Sequence, residues 1–345
     1  MKTSVSITFA TALAICAGAV SAMPAQADPV ADTYKGQTIT ILVGYGAGGT
    51  YGKNSILLAR DMSRYIPGHP TMVVQHMPGA GGLKATNYAY NVLPKNGMGI
   101  LMPPNMIAVS EKLRPKKVKY KTNKFTWLGR VIGSNSTLAV RRDSGIREFA
   151  DIRTKPLIVA SSGTGSPTFL MPALINSMLG TKLKIVKGYK GSRKMQLSME
   201  QGETQGIAIG WTAWYSGRPQ WFGTKDSFAI PIIQNGYKRE AGLENVPLIL
   251  DFAKNEEERQ IAKFLASASI IGRGLAFPPD VPRHLIEPMR AAFWKTVTNP
   301  AFIAEAKRRR LPVAQMTGAE IQKIVNDVMK IKPSVVKTAR KMIFG

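Results

Sequence analysis

The sequence predicts an α/β protein made of two wound halves with a crevice between them. Three observations carry this expectation. Short β-branched runs alternate with stretches of helical spacing between residues 38 and 102. The same alternation restarts after Asp143-Ser144-Gly145. Three polar, glycine-rich turns each follow a strand and precede a helix, so all three fall at strand C-termini. The chain of 345 residues has room for two ordinary domains of roughly 100–200 residues each. Hydrophobic residues make up 44% and charged residues 20%, which excludes wholesale disorder and a polytopic membrane protein.

Thr38-Ile39-Thr40-Ile41-Leu42-Val43 is short, β-branched and bounded by a glycine-rich turn, and reads as a buried first strand. A helix follows over residues 54–65, with Ile56, Leu57, Ala59 and Met62 near helical spacing and Pro67-Gly68 as its stop. Residues 71–75 read as a second strand, 83–92 as a helix halted by Pro94, and 98–102 as a third strand. Residues 111–124 carry seven basic side chains and read as a solvated connection. Strands resume at 125–131 and 137–141. The second half gives strand 157–160, helix 168–179, strand 183–186, helix 192–201 and strand 206–209, with one more strand at 228–234. From Val281 the pattern turns helical, over 285–298, 301–310 and 317–329.

The first residues bear on location. Met1-Lys2 is a positive start, residues 5–20 are apolar, and Ala25-Gln26-Ala27 is the small-x-small pattern a signal peptidase reads. Thr3, Ser4, Ser6, Thr8 and Thr11 dilute the stretch, which is short for a spanning helix of about 20 apolar residues. Ile15 ahead of Cys16 argues against a lipoprotein. The expectation is a signal peptide, residues 1–27, cleaved after Ala27 with Ala22 as the other candidate, and export to the periplasm. The segment contains the single Cys, so the mature protein would lack thiol chemistry and disulfides.

Lys and Arg number 47 against 21 Asp and Glu, a formal charge of +26. Such a balance suits a nucleic-acid binder or a collector of small anions. An exported protein meets little nucleic acid, which favours the anions.

Gly44-Tyr45-Gly46-Ala47-Gly48-Gly49 and Thr50 follow the first strand and match G-x-G-x-x-G. A dinucleotide site also needs an acid at the end of the second strand, where Gln75-His76 stands. An anion-binding loop that offers main-chain N–H groups to a carboxylate fits better. The second loop is Ser161-Ser162-Gly163-Thr164-Gly165-Ser166, where small residues allow close approach and hydroxyls add donors. The third contains Tyr189, Lys190 and Gly191. Trp211, at the end of a strand, is the aromatic placed to reach a ligand, whereas Trp214 and Trp221 read as core. Lys307-Arg308-Arg309-Arg310 ends a helix as a solvated cap. His69, His76 and His284 have no metal-ligand spacing, and neither a nucleophile elbow nor paired carboxylates are visible. No catalytic residue, metal or cofactor is expected.

The loops, together with Met77-Pro78-Gly79-Ala80-Gly81-Gly82, Tyr189-Lys190-Gly191 and Gly274-Leu275-Ala276-Phe277-Pro278-Pro279, are similar in kind and order to one family. They resemble the periplasmic solute-binding receptors of tripartite tricarboxylate transporters, the Bug receptors, across nearly the whole mature chain. That resemblance implies a two-domain periplasmic-binding-protein fold of type II-like architecture, with two wound sheets and a ligand cleft. Domain 1 would be residues 28–143 with 272–345, and domain 2 residues 144–271. Hinge segments would lie near 141–145 and 271–274. The first loop and the Ser/Gly loop would pinch a carboxylate from opposite domains, with Tyr189 and Lys190 close by.

The chain would act as a monomer without enzymatic activity and deliver a small organic anion to the membrane subunits of such a transporter. Gly52, His76, Asn96 and Gln205 stand where family members commonly carry Asp, Asn, Asp and Asp. Without an acid at Gly52 the site lacks a partner for an ammonium group, which points to plain carboxylates. A dicarboxylate is expected, Lys190 neutralising its second charge, with an aromatic spacer if Trp211 faces the cleft. The other readings open on the sequence are a secreted α/β enzyme acting on an anionic substrate and a basic protein that binds anionic polymers or lipids. Steep weakening by salt would mark the latter.

Overall fold

In the computed structural model, which describes Met1 and residues 28–345, the chain builds two sheets that are each covered by helices on both faces. The expected signal segment lies outside the described residues apart from Met1. No helix among the described residues is long and apolar enough to cross a membrane.

The described chain opens with α1 (Pro29–Tyr34), capped by Asp28, whose carboxylate accepts the N–H groups of Val30 and Ala31. There follow β1 (Thr38–Val43), α2 (Thr50–Met62), β2 (Thr71–His76), α3 (Leu83–Asn91), β3 (Gly99–Met102), α4 (Ile107–Leu113) and β4 (Thr126–Ile132). The chain then enters the second sheet with β5 (Ser136–Arg141), α5 (Asp151–Thr154), β6 (Leu157–Ser161), α6 (Pro167–Leu179), β7 (Leu183–Lys187) and α7 (Ser192–Glu200). Next come β8 (Gly206–Gly210), α8 (Trp211–Gly217), β9 (Ala229–Asn235) and α9 (Glu256–Ile271). β10 (Arg273–Phe277) returns to the first sheet, followed by α10 (Ile286–Thr298), α11 (Pro300–Arg308), β11 (Met316–Thr317), α12 (Gly318–Met329) and α13 (Pro333–Phe344).

The first sheet has the order β11-β4-β10-β3-β1-β2 and the second β7-β6-β8-β5-β9. In each, three strands run parallel, β2-β1-β3 and β7-β6-β8. The expected α/β winding is therefore confined to these triplets. β5 and β10 enter from the opposite half without a βαβ crossover inside their own sheet, and both pair antiparallel.

The two passages between the sheets lie against each other. The first runs through Gly133-Ser134-Asn135, upstream of the 141–145 segment expected from sequence, because β5 belongs to the second sheet. The second is Gly272, with φ of 57°, where a Cβ would sit 2.0 Å from the carbonyl oxygen of Ile132. The N–H of Ser134 donates to the carbonyl of Ser269 at 2.9 Å.

Leu57, Leu58 and Met62 of α2 and Phe293 of α10 cover one face of the first sheet, and Leu83, Ala85 and Ile321 the other. On the second sheet, Leu170, Leu174 and Ile175 of α6 pack with Ile261 and Leu265 of α9, and Met195, Trp214 and Trp221 fill the opposite face. Trp214 and Trp221 are core residues, as their spacing suggested. Val335, Ala339 and Ile343 of α13 join the α6 cluster, so the last helix packs on the second half.

Residues 114–124 form the largely exposed connection expected of them, with Lys116, Lys117, Lys119, Lys121 and Lys124 in solvent, whereas residues 111–113 close a helix not expected from sequence. α4 is buried, and Glu111 within it accepts the N–H of Thr122 at 2.6 Å. The apolar run of α4 is too short to register beside so many cations. α9, β10 and α13 also have no counterpart among the elements read from sequence. For α9 a start signal is present in Asn255, which caps the N–H of Glu258, followed by three Glu in the first turn.

Candidate functional site

Three parallel strands end on one side of the interface between the sheets, and each hands over to a helix: β1 to α2, β6 to α6 and β7 to α7. Their N-cap residues Gly49, Ser166 and Gly191 make no side-chain cap bond, and the first residues of the three helices, Thr50, Pro167 and Ser192, line a common space. That space is a cavity of about 50 Å³.

The first half contributes Tyr45, Gly49 and Thr50 from the first loop, Tyr51 from α2, Asn105 ahead of α4, and Arg273 from β10. The second contributes Ser162, Ser166 and Thr168 around the Ser/Gly loop, and Gly191, Ser192 and Met195 at the start of α7. Pro167, Ile209, Gly210 and Ala213 complete an apolar side.

The halves are joined at this site by main-chain bonds. Gly46 donates to the carbonyl of Lys190 at 2.9 Å, and Gly81 donates to the carbonyl of Ser162 at 3.2 Å. The Ser/Gly loop thus meets the Pro-Gly-Ala-Gly-Gly loop of the other half. A Cβ on Gly163 would lie 2.7 Å from the nitrogen of Gly81, and one on Gly165 would lie 2.8 Å from the carbonyl oxygen of Ala80. These glycines let two backbones touch; they do not face the cavity. The donors expected of the loop's hydroxyls are also committed. Ser161 and Ser162 bond Thr168 through their side chain and main-chain N–H respectively, each at 3.0 Å, and Ser166 donates to the carbonyl of Gly163 at 2.9 Å.

Of the residues singled out from sequence, Tyr45, Gly49, Thr50, Ser162 and Ser166 line the cavity. Gly46, Ser161, Gly163 and Gly165 form the seam or brace it, whereas Ala47 and Gly48 are exposed and Thr164 is half-buried. Tyr189 turns to the surface, its hydroxyl 3.3 Å from Glu203, and the side chain of Lys190 is exposed; only its carbonyl joins the seam. Trp211 packs edge-on against Phe222 and lines a separate groove with Tyr215 and Pro219. An aromatic spacer held by Trp211 and a second charge held by Lys190 thus have no place in this cavity.

The departures from the family pattern also acquire physical roles. Gly52 packs on the first loop, where a Cβ would sit 2.3 Å from the carbonyl oxygen of Ala47, so a side chain there would meet backbone and not ligand. Nδ1 of His76 lies 2.7 Å from the carbonyl oxygen of Tyr45 and props the same loop. Gln205 accepts the N–H of Ile158 at 3.0 Å.

Arg273 was not singled out from the sequence. It is 3% exposed, its Nη2 donates to Oγ1 of Thr50 at 3.3 Å, and its guanidinium lies 5.1 Å from the centre of the Tyr51 ring. Tyr51 in turn packs 4.6 Å from Tyr45. Burial pushes both phenols up, so they stay neutral. The available signal was a lone charge within the apolar run that forms β10. Outside the cavity, Lys53 of α2 donates to the carbonyl of Ser216 across the halves at 3.3 Å. Burial first, then the charges of Arg193, Arg218 and Arg310, lower its pKa, so cations of both halves gather there. Among the described residues no group of His, Cys, Asp and Glu could hold a metal ion.

No protein-family model matches the chain. It is 21% identical over 338 residues to the UPF0065 protein in the gbd 5' region of Cupriavidus necator, covering 94% of each. It is 29% identical over 167 residues to the UPF0065 protein in the TAR-I ttuE-ttuC' intergenic region of Agrobacterium vitis, a match spanning 46% of this chain and about half, 47%, of that protein. The periplasmic binding protein BugD superposes with a TM-score of 0.71 at 16% identity, covering 90% of this chain and 98% of that one. An R. palustris protein with adipate gives 0.67 at 19% identity over 88% and 97%. MatC from Rhodopseudomonas palustris with bound malate gives 0.67 at 15% identity over 87% and 99%. The chain is thus similar in sequence to UPF0065 proteins and shares the fold of the periplasmic binding protein BugD, as its loops implied.

Proposed function

We propose that the protein is a periplasmic, non-enzymatic receptor that closes on a short organic carboxylate and delivers it to membrane subunits of a tripartite tricarboxylate-type transporter. The observation that carries this reading is the cavity itself, lined from both halves, fed by three uncapped helix N-termini and sealed by main-chain bonds across the seam. A site of this kind opens and closes by moving one half against the other, at passages 133–135 and Gly272. The two halves would be the two domains of such a receptor.

Size limits the ligand. By about 10–15 Å³ per water-sized group, a cavity of about 50 Å³ holds only three to five such groups. That is room for one carboxylate and little more, so a diacid would not be enclosed whole. The adipate and malate of the R. palustris proteins support a dicarboxylate. Its inner end would sit in the cavity and its outer end toward the cations near Lys53.

A thermal-shift panel of aliphatic mono-, di- and tricarboxylates tests the reading. A ligand at about 100 times its Kd adds about 2.7 kcal/mol, enough to move the melting point measurably. If no acid in the panel raises it, the receptor reading fails.

A further inference from the structure

We propose that Arg273 is the fixed charge partner of the ligand, so that one carboxylate seated beside Thr50 and Tyr51 is what the cavity selects. This rests on the receptor reading and names the chemistry of its inner subsite.

A guanidinium offers five N–H donors. Here one bond goes to Thr50 and the face lies over Tyr51, while among the described residues Nε and Nη1 have no hydrogen-bond partner and no carboxylate pairs with the group. Removing such a charge from water is costly unless an anion and hydrogen bonds compensate it. Glu240, the acid whose titration senses Arg273, is committed elsewhere, its Oε2 accepting the N–H of Asn135 at 2.7 Å. The rest of the lining is neutral, with Met195, Ile209 and Ala213 supplying an apolar side. An anion entering the cavity therefore meets one formal charge, at a defined place. The same place lies at the start of α2, whose N-terminal dipole adds to it. A charged oxygen completes the donors of Arg273, whereas an amide of the same shape brings no countercharge.

The test compares acids with their isosteric amides: malate with its diamide, and butyrate with butyramide, by calorimetry. Wild type should favour the acid by roughly 10- to 150-fold, the range for hydrogen bonds to charged groups. Arg273→Gln should remove that preference through loss of acid affinity, with amide affinity changed less than threefold. A purely structural arginine would move both alike. Gly210→Ala is the second variant, because its Cβ would lie 2.7 Å from Nη2 of Arg273 and must displace the guanidinium without removing it. It should erode the preference in the same direction, and it carries the decision if Arg273→Gln does not fold. Wild type that binds acids without favouring them over amides, or folded variants that keep the preference, would overturn the role of Arg273 and leave the receptor reading intact. Absence of any acid binding would count against the receptor itself.

Discussion

Gly165→Ala separates closure from folding. Gly165 has no positive φ, so alanine imposes no backbone strain and, by restricting the unfolded chain, should stabilise the protein by about 0.4–1 kcal/mol if nothing else intervenes. Its new Cβ would lie 2.6 Å from Cγ of Leu83 and 2.8 Å from the carbonyl oxygen of Ala80, both in the other half. The leucine can turn aside; the carbonyl belongs to the backbone of the Pro-Gly-Ala-Gly-Gly loop and cannot. Overpacking of this size costs about 1–3 kcal/mol, and in a hinged receptor only the closed form suffers it. Coupling of that magnitude weakens ligand affinity by about 5- to 150-fold. Calorimetry with the acid that most stabilises wild type, beside a melting curve of the ligand-free variant, measures both quantities. The expected pattern is lost affinity with a ligand-free melting point that is unchanged or raised. A fall in melting point with unchanged affinity would refute the argument, because it would mean the seam is a permanent part of the fold.

Gly52→Asp should lower the melting point by an amount equivalent to at least about 1–3 kcal/mol, since its side chain is driven into the carbonyl of Ala47; a normal melting point with altered ligand charge preference would restore the role expected from sequence. Trp211→Ala and Lys190→Ala should each change acid affinity by less than about twofold, because neither side chain lines the cavity, and calorimetry on both variants checks this. Hydrogen bonds from Arg308 and Arg309 hold the Glu305 carboxyl at about 2, against an ordinary 4.5. A depressed carboxylate stabilises the fold above its unfolded pKa and loses that contribution as pH falls through the folded one. Wild type should therefore melt above Glu305→Gln at neutral pH, and the difference should shrink between pH 4.5 and 2 in melting curves taken across that range.

The two α/β halves, the position of most strands and the three turns around the cavity were legible in the residues alone. Those features are local. The β-branched run Thr38–Val43, the stop at Pro67-Gly68 and the glycine-rich turns depend on neighbours a few residues away. The loops also carried the likeness to periplasmic solute-binding receptors, although the chain is only 21% identical to a relative that it matches over its length.

What each loop faces depends on how the two sheets pack. Gly163 and Gly165 read as ligand contacts because small residues permit close approach, yet the partner that approaches is the backbone at Ala80 and Gly81. Ser161, Ser162 and Ser166 read as donors to a ligand, but Thr168 and Gly163 take up part of their hydrogen bonding. Trp211 stands one residue past cavity-lining Gly210 and still lines another groove, since the chain turns into α8 there. Arg273 acquires its meaning from Thr50, 223 positions earlier in the chain, and from Tyr51 beside it. No local pattern encodes such a distance. Sequence periodicity reports which face of an element is buried, and only the packing of the two sheets fixes what that face is buried against.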